Sequence, residues 1–331
     1  MTLITGFLDP AFNARGAFLD EKHETAFRLF NGFLEGFPAL SIDIYARSAL
    51  FHNYADSPPD GQTALAQEWL FKNLPWINCI ICKTRNGETD AEKRGSLLYG
   101  SAPDNKIREN GSWYAIDLSM NRDASLYLDT RELRAWARKT LSGKSVLNTF
   151  AYTGSLGVAA LAGGAARVVQ LDRNNSFLNL ARRSYTLNGF PISKKDFLVA
   201  DFFPAVSQLK HSKQSFDCVF LDPPFFASTS KGRVDLETNN SRLINKIRPL
   251  INDGGWLVAI NNALYVSGRD YQAELEALCA DGYLSLEQLV PVPQDFTGFE
   301  GTFNGKPPVD PAPFNHSTKI AILRVRRKKV L

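Results

Sequence analysis

The sequence predicts an α/β chain, with a doubly wound parallel sheet following a smaller α+β domain. Two observations carry this. From about Gly111 onward, short apolar runs alternate with helix-like segments across short connections, the rhythm of a parallel sheet covered by helices. Before about Asn110 the style differs: paired alternating runs, one helix and a polar loop. The boundary is therefore placed after residue 110, giving 1–110 and 111–331.

In the first part, Ala39–Tyr45 alternates and Leu50–Tyr54 follows, as two paired strands. Ser57-Pro-Pro-Asp-Gly61 breaks the chain. Thr63–Leu74 reads as a helix with Leu65, Trp69 and Leu70 on one side. Asn78–Thr84 is a further strand, and Arg85–Arg94 a polar loop. In the second part, strands are read at Val146–Phe150, Val168–Leu171, Phe197–Ala200, Cys218–Leu221, Leu257–Ile260 and Ile320–Val325. Helices are read at Leu156–Leu161 and Ser176–Asn188, the latter closed by Gly189.

Composition sets the outer limits. A chain of 331 residues accommodates about two domains. With 44% hydrophobic and 22% charged residues it is neither disordered nor collagenous. A net charge of +4 permits a nucleic-acid partner without demanding one. Four cysteines are too few for a disulfide scaffold, and no basic start with an apolar run marks a secretory signal, so a reducing cytoplasm is expected. The uncharged stretch Ser145–Ala166 is long enough for a membrane span. It holds four glycines and several hydroxyl and amide side chains, and reads as strand, tight loop and small-residue helix.

The chemistry sits at the strand ends, where ligands of open α/β sheets bind. The first strand runs into Asn148-Thr-Phe-Ala-Tyr-Thr-Gly154, and the next three end at Asp172, Asp201 and Asp222. Carboxylates gathered on one edge repel one another unless a ligand uses them. Asp172 lies 18 residues past Gly154, where it can accept hydrogen bonds from both hydroxyls of a ribose. The loop Thr153-Gly-Ser-Leu-Gly157 lacks the full glycine pattern that cradles a pyrophosphate. S-adenosylmethionine (SAM) carries no phosphate, and its sulfonium suits a carboxylate-rich site. Asp201 would take the adenine amino group, with Phe202 beside the ring; a simple helix cap is the competing role for Asp201. Asp222-Pro223-Pro224-Phe225-Phe226 fixes a rigid turn after its strand, able to hold carbonyls and aromatics against a flat base.

These segments resemble a known family. Leu126–Arg131, Val146–Gly154, Gly163-Gly-Ala165, Leu171-Asp172, Asn188-Gly189, Asp201 and Asp222-Pro-Pro224 are similar to the class I SAM-dependent methyltransferases of large-subunit ribosomal RNA. The group is the one containing the 5-methylcytosine and 7-methylguanosine enzymes of 23S RNA. Gly36–Tyr45 resembles the strand pair of that family's central domain. The resemblance implies a Rossmann-like class I methyltransferase sheet. It places Tyr127, Asp129 and Arg131 at the cofactor entrance, and Asn148, Phe150, Tyr152, Thr153 and Gly154 around the methionine end. Asp172 falls on ribose, Asp201 near adenine and Asp222 beside the transferred methyl.

Methylating C5 of cytosine requires a Cys thiolate to attack the ring first. In the 5-methylcytosine enzymes that the chain resembles, the key cysteines lie after the Asp-Pro-Pro strand or in the turn after the fifth strand; here Phe225 follows Pro224 and Asn261-Asn262-Ala263 follows the fifth strand, so neither position holds one. Asn261-Asn262 resembles the turn of the 7-methylguanosine group. A ring nitrogen needs only in-line displacement on the sulfonium methyl, with Asn262 orienting the base. Asp222, Pro223, Pro224 and Asn262 are thus the expected catalytic set, on a base of RNA. Cytosine-C5 transfer, a non-catalytic RNA-binding module and a Rossmann NAD-dependent dehydrogenase remain as alternatives. Without an evident RNA-docking attachment of the PUA or THUMP kind, docking would rest on the first domain, on Arg131, Arg134 and Arg138, and on the tail Arg324, Arg326, Arg327, Lys328 and Lys329. Cys79-Ile-Ile-Cys82 sits in a strand with its sulfurs on opposite faces, so no metal is expected. Phe296–Phe303 is either a substrate loop or a surface excursion.

Overall fold

The computed structural model describes residues 3–55, 61–121, 123–229, 232–304, 308 and 310–327, with the side chain of residue 229 left aside. Two compact units emerge: Met1–Leu128 with Pro293–Pro307, and Asp129–Val292 with Pro308–Leu331.

The first unit carries α1 (Thr5–Ala14), β1 (Ala26–Asn31), α2 (Gly32–Glu35), β2 (Leu40–Tyr45), β3 (Ser48–Asn53), α3 (Gln62–Asn73), β4 (Cys79–Thr84), α4 (Asp90–Arg94) and β5 (Ser96–Tyr99). The strands form one sheet in the order β1-β2-β3-β4-β5. Only β3 and β4 pair in parallel, and α3 supplies the crossover such a pair requires. One face is apolar: Phe27, Leu40, Ile42, Ile44, Phe51 and Ile80 pack on Leu8 of α1 and Ala66, Trp69 and Leu70 of α3. The alternate residues give the other face a buried polar character. There Arg28 grips Asp43 at 2.7 Å, and His52 Nε2 meets the second carboxylate oxygen at 2.8 Å.

A hairpin of β6 (Lys106–Glu109) and β7 (Ser112–Ala115) straddles the boundary expected after residue 110 and lies wholly within this unit. Its attachment is physical: Arg108 N donates to Glu24 O. Further along, the Tyr45 hydroxyl donates to Leu126 O. The Phe296 segment also returns here rather than forming a surface loop. Asp295 Oδ2 accepts from Arg28 N at 2.8 Å, and the Arg28 guanidinium lies 4.1 Å from the Phe296 ring centre. Sequence position alone places Pro293–Pro307 with the second unit; long-range pairing places it with the first.

The second unit runs α5 (Arg131–Thr140), β8 (Ser145–Thr149), α6 (Ser155–Ala162), β9 (Arg167–Asp172), α7 (Asn175–Leu187), β10 (Phe197–Val199), α8 (Phe202–His211) and β11 (Phe216–Leu221). It continues through the hairpin β12 (Phe226–Thr229) and β13 (Gly232–Asp235), then α9 (Asn240–Ile247), β14 (Ile251–Asn261), α10 (Gly268–Cys279), β15 (Leu284–Val290) and β16 (Lys319–Val325). The sheet order is β10-β9-β8-β11-β14-β16-β15. The first five are parallel, whereas β16 is antiparallel to both neighbours. The dinucleotide sheet instead continues with a sixth strand in sequence order. Alternate residues feed two layers. Leu147, Val169, Val219 and Leu257 face Val206 of α8 and Ile244 of α9. Val146, Val168, Phe220 and Val258 face Leu133 of α5 and Leu156 of α6. The uncharged 145–166 stretch is therefore β8, a loop and α6, and no helix among the described residues is long and apolar enough to cross a membrane.

Candidate functional site

The strand order reverses at β8, which lies between β9 and β11; ligands of open sheets bind at such a switch point, outside the carboxyl ends. The registers align that rim: Thr149 pairs with Leu171 on β9 and with Leu221 on β11, and Leu221 pairs with Ala259 on β14. Phe150, Asp172 and Asp222 therefore leave the sheet side by side, with Asn261-Asn262 at the end of the fourth of these strands.

The loop after β8 is wound tightly. Phe150 (φ 53°), Tyr152 (φ 51°) and Gly154 (φ 75°) all adopt left-handed backbone, which costs energy at the two non-glycine positions. Asp172 holds the winding. Its Oδ2 accepts from Tyr152 N at 2.9 Å and its Oδ1 from Asn174 N at 2.8 Å. Burial nevertheless raises the Asp172 pKa. A carboxylate has about four lone-pair sites, so capacity remains for ligand hydroxyls.

Gln170, which carries no signal in the sequence pattern, explains the glycines. Its amide is fully buried, takes a hydrogen bond from Asn148 Nδ2 at 2.8 Å and donates to Gly154 O at 3.2 Å. A Cβ on Gly157 would come 2.1 Å from Gln170 Nε2, and one on Gly154 would come 3.0 Å from it. These glycines make room for a glutamine rather than for a pyrophosphate. Asn148 correspondingly acts through Gln170: it is 2% exposed and does not stand at the rim, contrary to its expected place around the methionine end.

Asp201 does cap α8, accepting from Phe203 N at 3.0 Å. Phe202 is buried and stacks on Phe150 with centroids 4.8 Å apart, so the half-buried ring at the rim is that of Phe150. Tyr152 packs edge-on against Phe177, and Thr153 is buried.

The acidic pair is the most charged feature. Burial first, then the Asp129 charge, pushes the Asp222 carboxyl up to about 7. Asp129 Oδ2 accepts from Thr318 Oγ1 at 2.7 Å, while its buried Oδ1 has no hydrogen-bond partner among the described residues. A buried carboxyl with a second acid beside it suits a cationic ligand. The ammonium and sulfonium of SAM fit that need. Thr318 had no sequence signal, being one of two adjacent hydroxyl residues ahead of the last strand.

Across the rim, Asn262 Nδ2 donates to Pro223 O at 3.3 Å, which fixes the amide and leaves Oδ1 as a buried acceptor without a partner among the described residues. Pro223 is buried and Pro224 exposed. Lys319, also unanticipated, supports this turn: its buried Nζ donates to Ala263 O at 3.0 Å and Ser317 O at 2.7 Å, and burial lowers its pKa to about 8.

Tyr127, in the first unit, is 42% exposed and donates to Asp123 Oδ2 at 3.1 Å. Arg131 opens α5, half-buried. Arg134 does not join Arg131 and Arg138 on an open basic face: it is 1% exposed and donates to Thr130 Oγ1. Leu133, Ala137 and Leu141 set the packed face of α5, and Arg134 is turned in beside them. In the tail, Arg324 pairs with Glu287 at 2.6 Å and Arg327 donates to Ile251 O and Pro249 O; Lys328 and Lys329 lie outside the described residues. Cys79, Cys82 and Cys218 are buried, and among the described residues no group of three or more His, Cys, Asp or Glu could hold a metal.

A model of the S-adenosylmethionine-dependent methyltransferase family matches residues 97–302. Ribosomal RNA large subunit methyltransferase K/L of Colwellia psychrerythraea is 31% identical over 297 residues, covering 86% of this chain and 39% of that protein. Ribosomal RNA large subunit methyltransferase I of Vibrio cholerae is 31% identical over 280 residues, covering 82% of this chain and 68% of that protein. The chain thus spans well under half of the first relative and about two thirds of the second. Among solved structures, SMU.776 in complex with SAH superposes with a TM-score of 0.82 at 22% identity, covering 97% of this chain and 81% of that one, a likeness of fold. With its strand-end carboxylates and a family match across 97–302, the chain belongs to the S-adenosylmethionine-dependent methyltransferase family.

Proposed function

We propose that this protein transfers a methyl group from SAM to a base of RNA, with ribosomal RNA as the substrate and a ring nitrogen, as in 7-methylguanosine, as the acceptor. The observation that carries this reading is the rim itself: a neighbouring acid pair, Asp129 and Asp222, beside a hydrogen-bonded Asn262–Pro223 turn. The relatives named for large-subunit RNA support the substrate class.

SAM, when bound, supplies an electrophilic methyl on sulfur. The chain's own residues then have distinct tasks. Asp172 accepts from the ribose hydroxyls while holding Tyr152. Phe150 offers a ring near the adenine, with Asp201 beside it. Asp129 and Asp222 stabilise positive charge, and Tyr152, Thr153 and Gly154 shape the loop. Asn262 keeps its NH2 on Pro223 O and its oxygen toward the base. A ring nitrogen brings its own lone pair, so positioning and electrostatics suffice.

Cytosine-C5 transfer is disfavoured because none of the four cysteines stands at a strand end of the rim. Cys218 lies inside β11 and Cys279 ends α10. Burial raises the Cys218 thiol pKa well above its ordinary value and pushes that of Cys82 up to about 11, opposite to what a thiolate nucleophile needs. The first unit, with its own core, is assigned the docking role in this proposal.

The test is mass spectrometry of ribosomal RNA from a strain lacking this chain. The expected result is one missing methyl mark, restored by the wild-type gene and not by Asp222→Asn. An unchanged set of marks contradicts ribosomal RNA as the substrate.

A further inference from the structure

Four large apolar side chains stand uncovered on the two loops that carry the Asn262–Pro223 contact. Tyr265 is 83% and Leu264 73% exposed on the turn after β14; Phe225 is 40% and Phe226 53% exposed after β11. Large apolar side chains left in water on two loops joined by a hydrogen bond mark a candidate interaction site. Phe226 and Tyr265 each lie three residues from the hydrogen-bonded pair, so at most about 11 Å of chain separates either from it.

Both rings sit on hydrogen-bonded frames. Phe226 opens the β12–β13 hairpin and pairs with Asp235. The turn before Tyr265 is fixed by Lys319 Nζ on Ala263 O and by Ala263 N on Asn261 Oδ1 at 2.9 Å. The Arg233 guanidinium, paired with Asp235 Oδ2 at 2.7 Å, lies 5.1 Å from the Phe226 ring centre, and its side chain is 58% exposed. Aromatic faces with a guanidinium beside them suit an anionic strand whose bases lie open. A greasy peptide would have no use for the guanidinium.

We propose that Phe226 and Tyr265 are a stacking platform for unpaired nucleotides flanking the target base, so that the substrate is a single-stranded or looped-out RNA segment. This rests on the RNA reading above. Bases within a duplex stack on one another and offer no free face, whereas unpaired bases stack on aromatic rings whatever their sequence.

The test uses the full chain with a fluorescent single-stranded RNA of mixed sequence and the same sequence as a duplex. The wild type is expected to bind the single strand more tightly. Phe226→Ala and Tyr265→Ala should each weaken that binding by about 5- to 150-fold, the range of one lost base–aromatic stack. Tyr265→Phe should retain it, because the ring and not the hydroxyl carries the contact, and SAM affinity should be unchanged in all three. If the wild type binds the strand and both Ala variants bind equally well, the platform is wrong while the RNA reading stands. A preference for duplex likewise overturns the platform and leaves the RNA reading standing. A concentration-dependent dimer lost in Tyr265→Ala, with RNA binding intact, would assign the patch to a second copy and overturn the proposal. A wild type that binds neither RNA at low salt removes the RNA reading and the platform with it.

Discussion

Asp222 is the residue where charge is placed at greatest cost. Its carboxyl pKa stands near 7, against an ordinary value of 3.8. Between those values the folded chain holds a proton that the unfolded chain has lost, so stability falls as pH rises through the window and stays lower above it. Asp222→Asn is therefore expected to raise the melting temperature at pH 8 by a few degrees while abolishing methyl transfer; an unchanged or lower melting temperature would contradict the burial argument. A cationic ligand prefers the ionised carboxylate. SAM affinity measured by calorimetry should tighten about tenfold from pH 6 to pH 8, and the dependence should vanish in Asp222→Asn. On the opposite side of the rim, Asn262→Ala should abolish transfer with SAM binding intact, and unchanged turnover would remove Asn262 from the mechanism. Asp172, Asp201 and Asp222 were legible because each ends an apolar run. Arg134 was misplaced because helical spacing gives a face but not what the face packs against.

Among the elements, the loop between β8 and α6 decides the most. It combines three left-handed residues with two glycines pressed on Gln170. Adding a methyl at Gly157 forces that buried amide aside, and at Gly154 it adds backbone strain. Gly157→Ala and Gly154→Ala should each cost about 1–3 kcal/mol in urea denaturation and weaken SAM binding. An unchanged midpoint with wild-type SAM affinity would show the contact to be slack. The loop is legible in the sequence through its glycines, but their purpose is reached there only by elimination, since a buried glutamine in the middle of a strand leaves no mark in periodicity. The same limit hid β15. Its alternating exposure gives a weak apolar signal, and its partner β16 lies some thirty residues downstream, so the antiparallel end of the sheet emerges only from pairing.

For the molecule as a whole, the net charge of +4 is modest, and three of the arginines expected to dock RNA are engaged within the fold. Arg134 is buried, Arg324 is paired with Glu287 and Arg327 is tied to backbone carbonyls. RNA affinity should still fall steeply with added salt, because phosphate neutralisation releases counterions; a flat response would exclude a phosphate backbone as the partner. The two-part organisation was legible in outline, but Pro293–Pro307 returns to the first unit and no local pattern announces that. The central claim is that the carboxyl ends of β8, β9 and β11 bind SAM, and its most direct test is calorimetric titration of SAM into the purified chain and into Asp172→Ala, with circular dichroism to verify folding. One-to-one binding by the wild type, lost or strongly weakened in the folded variant, is the predicted result. Equal binding by both, or none by the wild type, would contradict it.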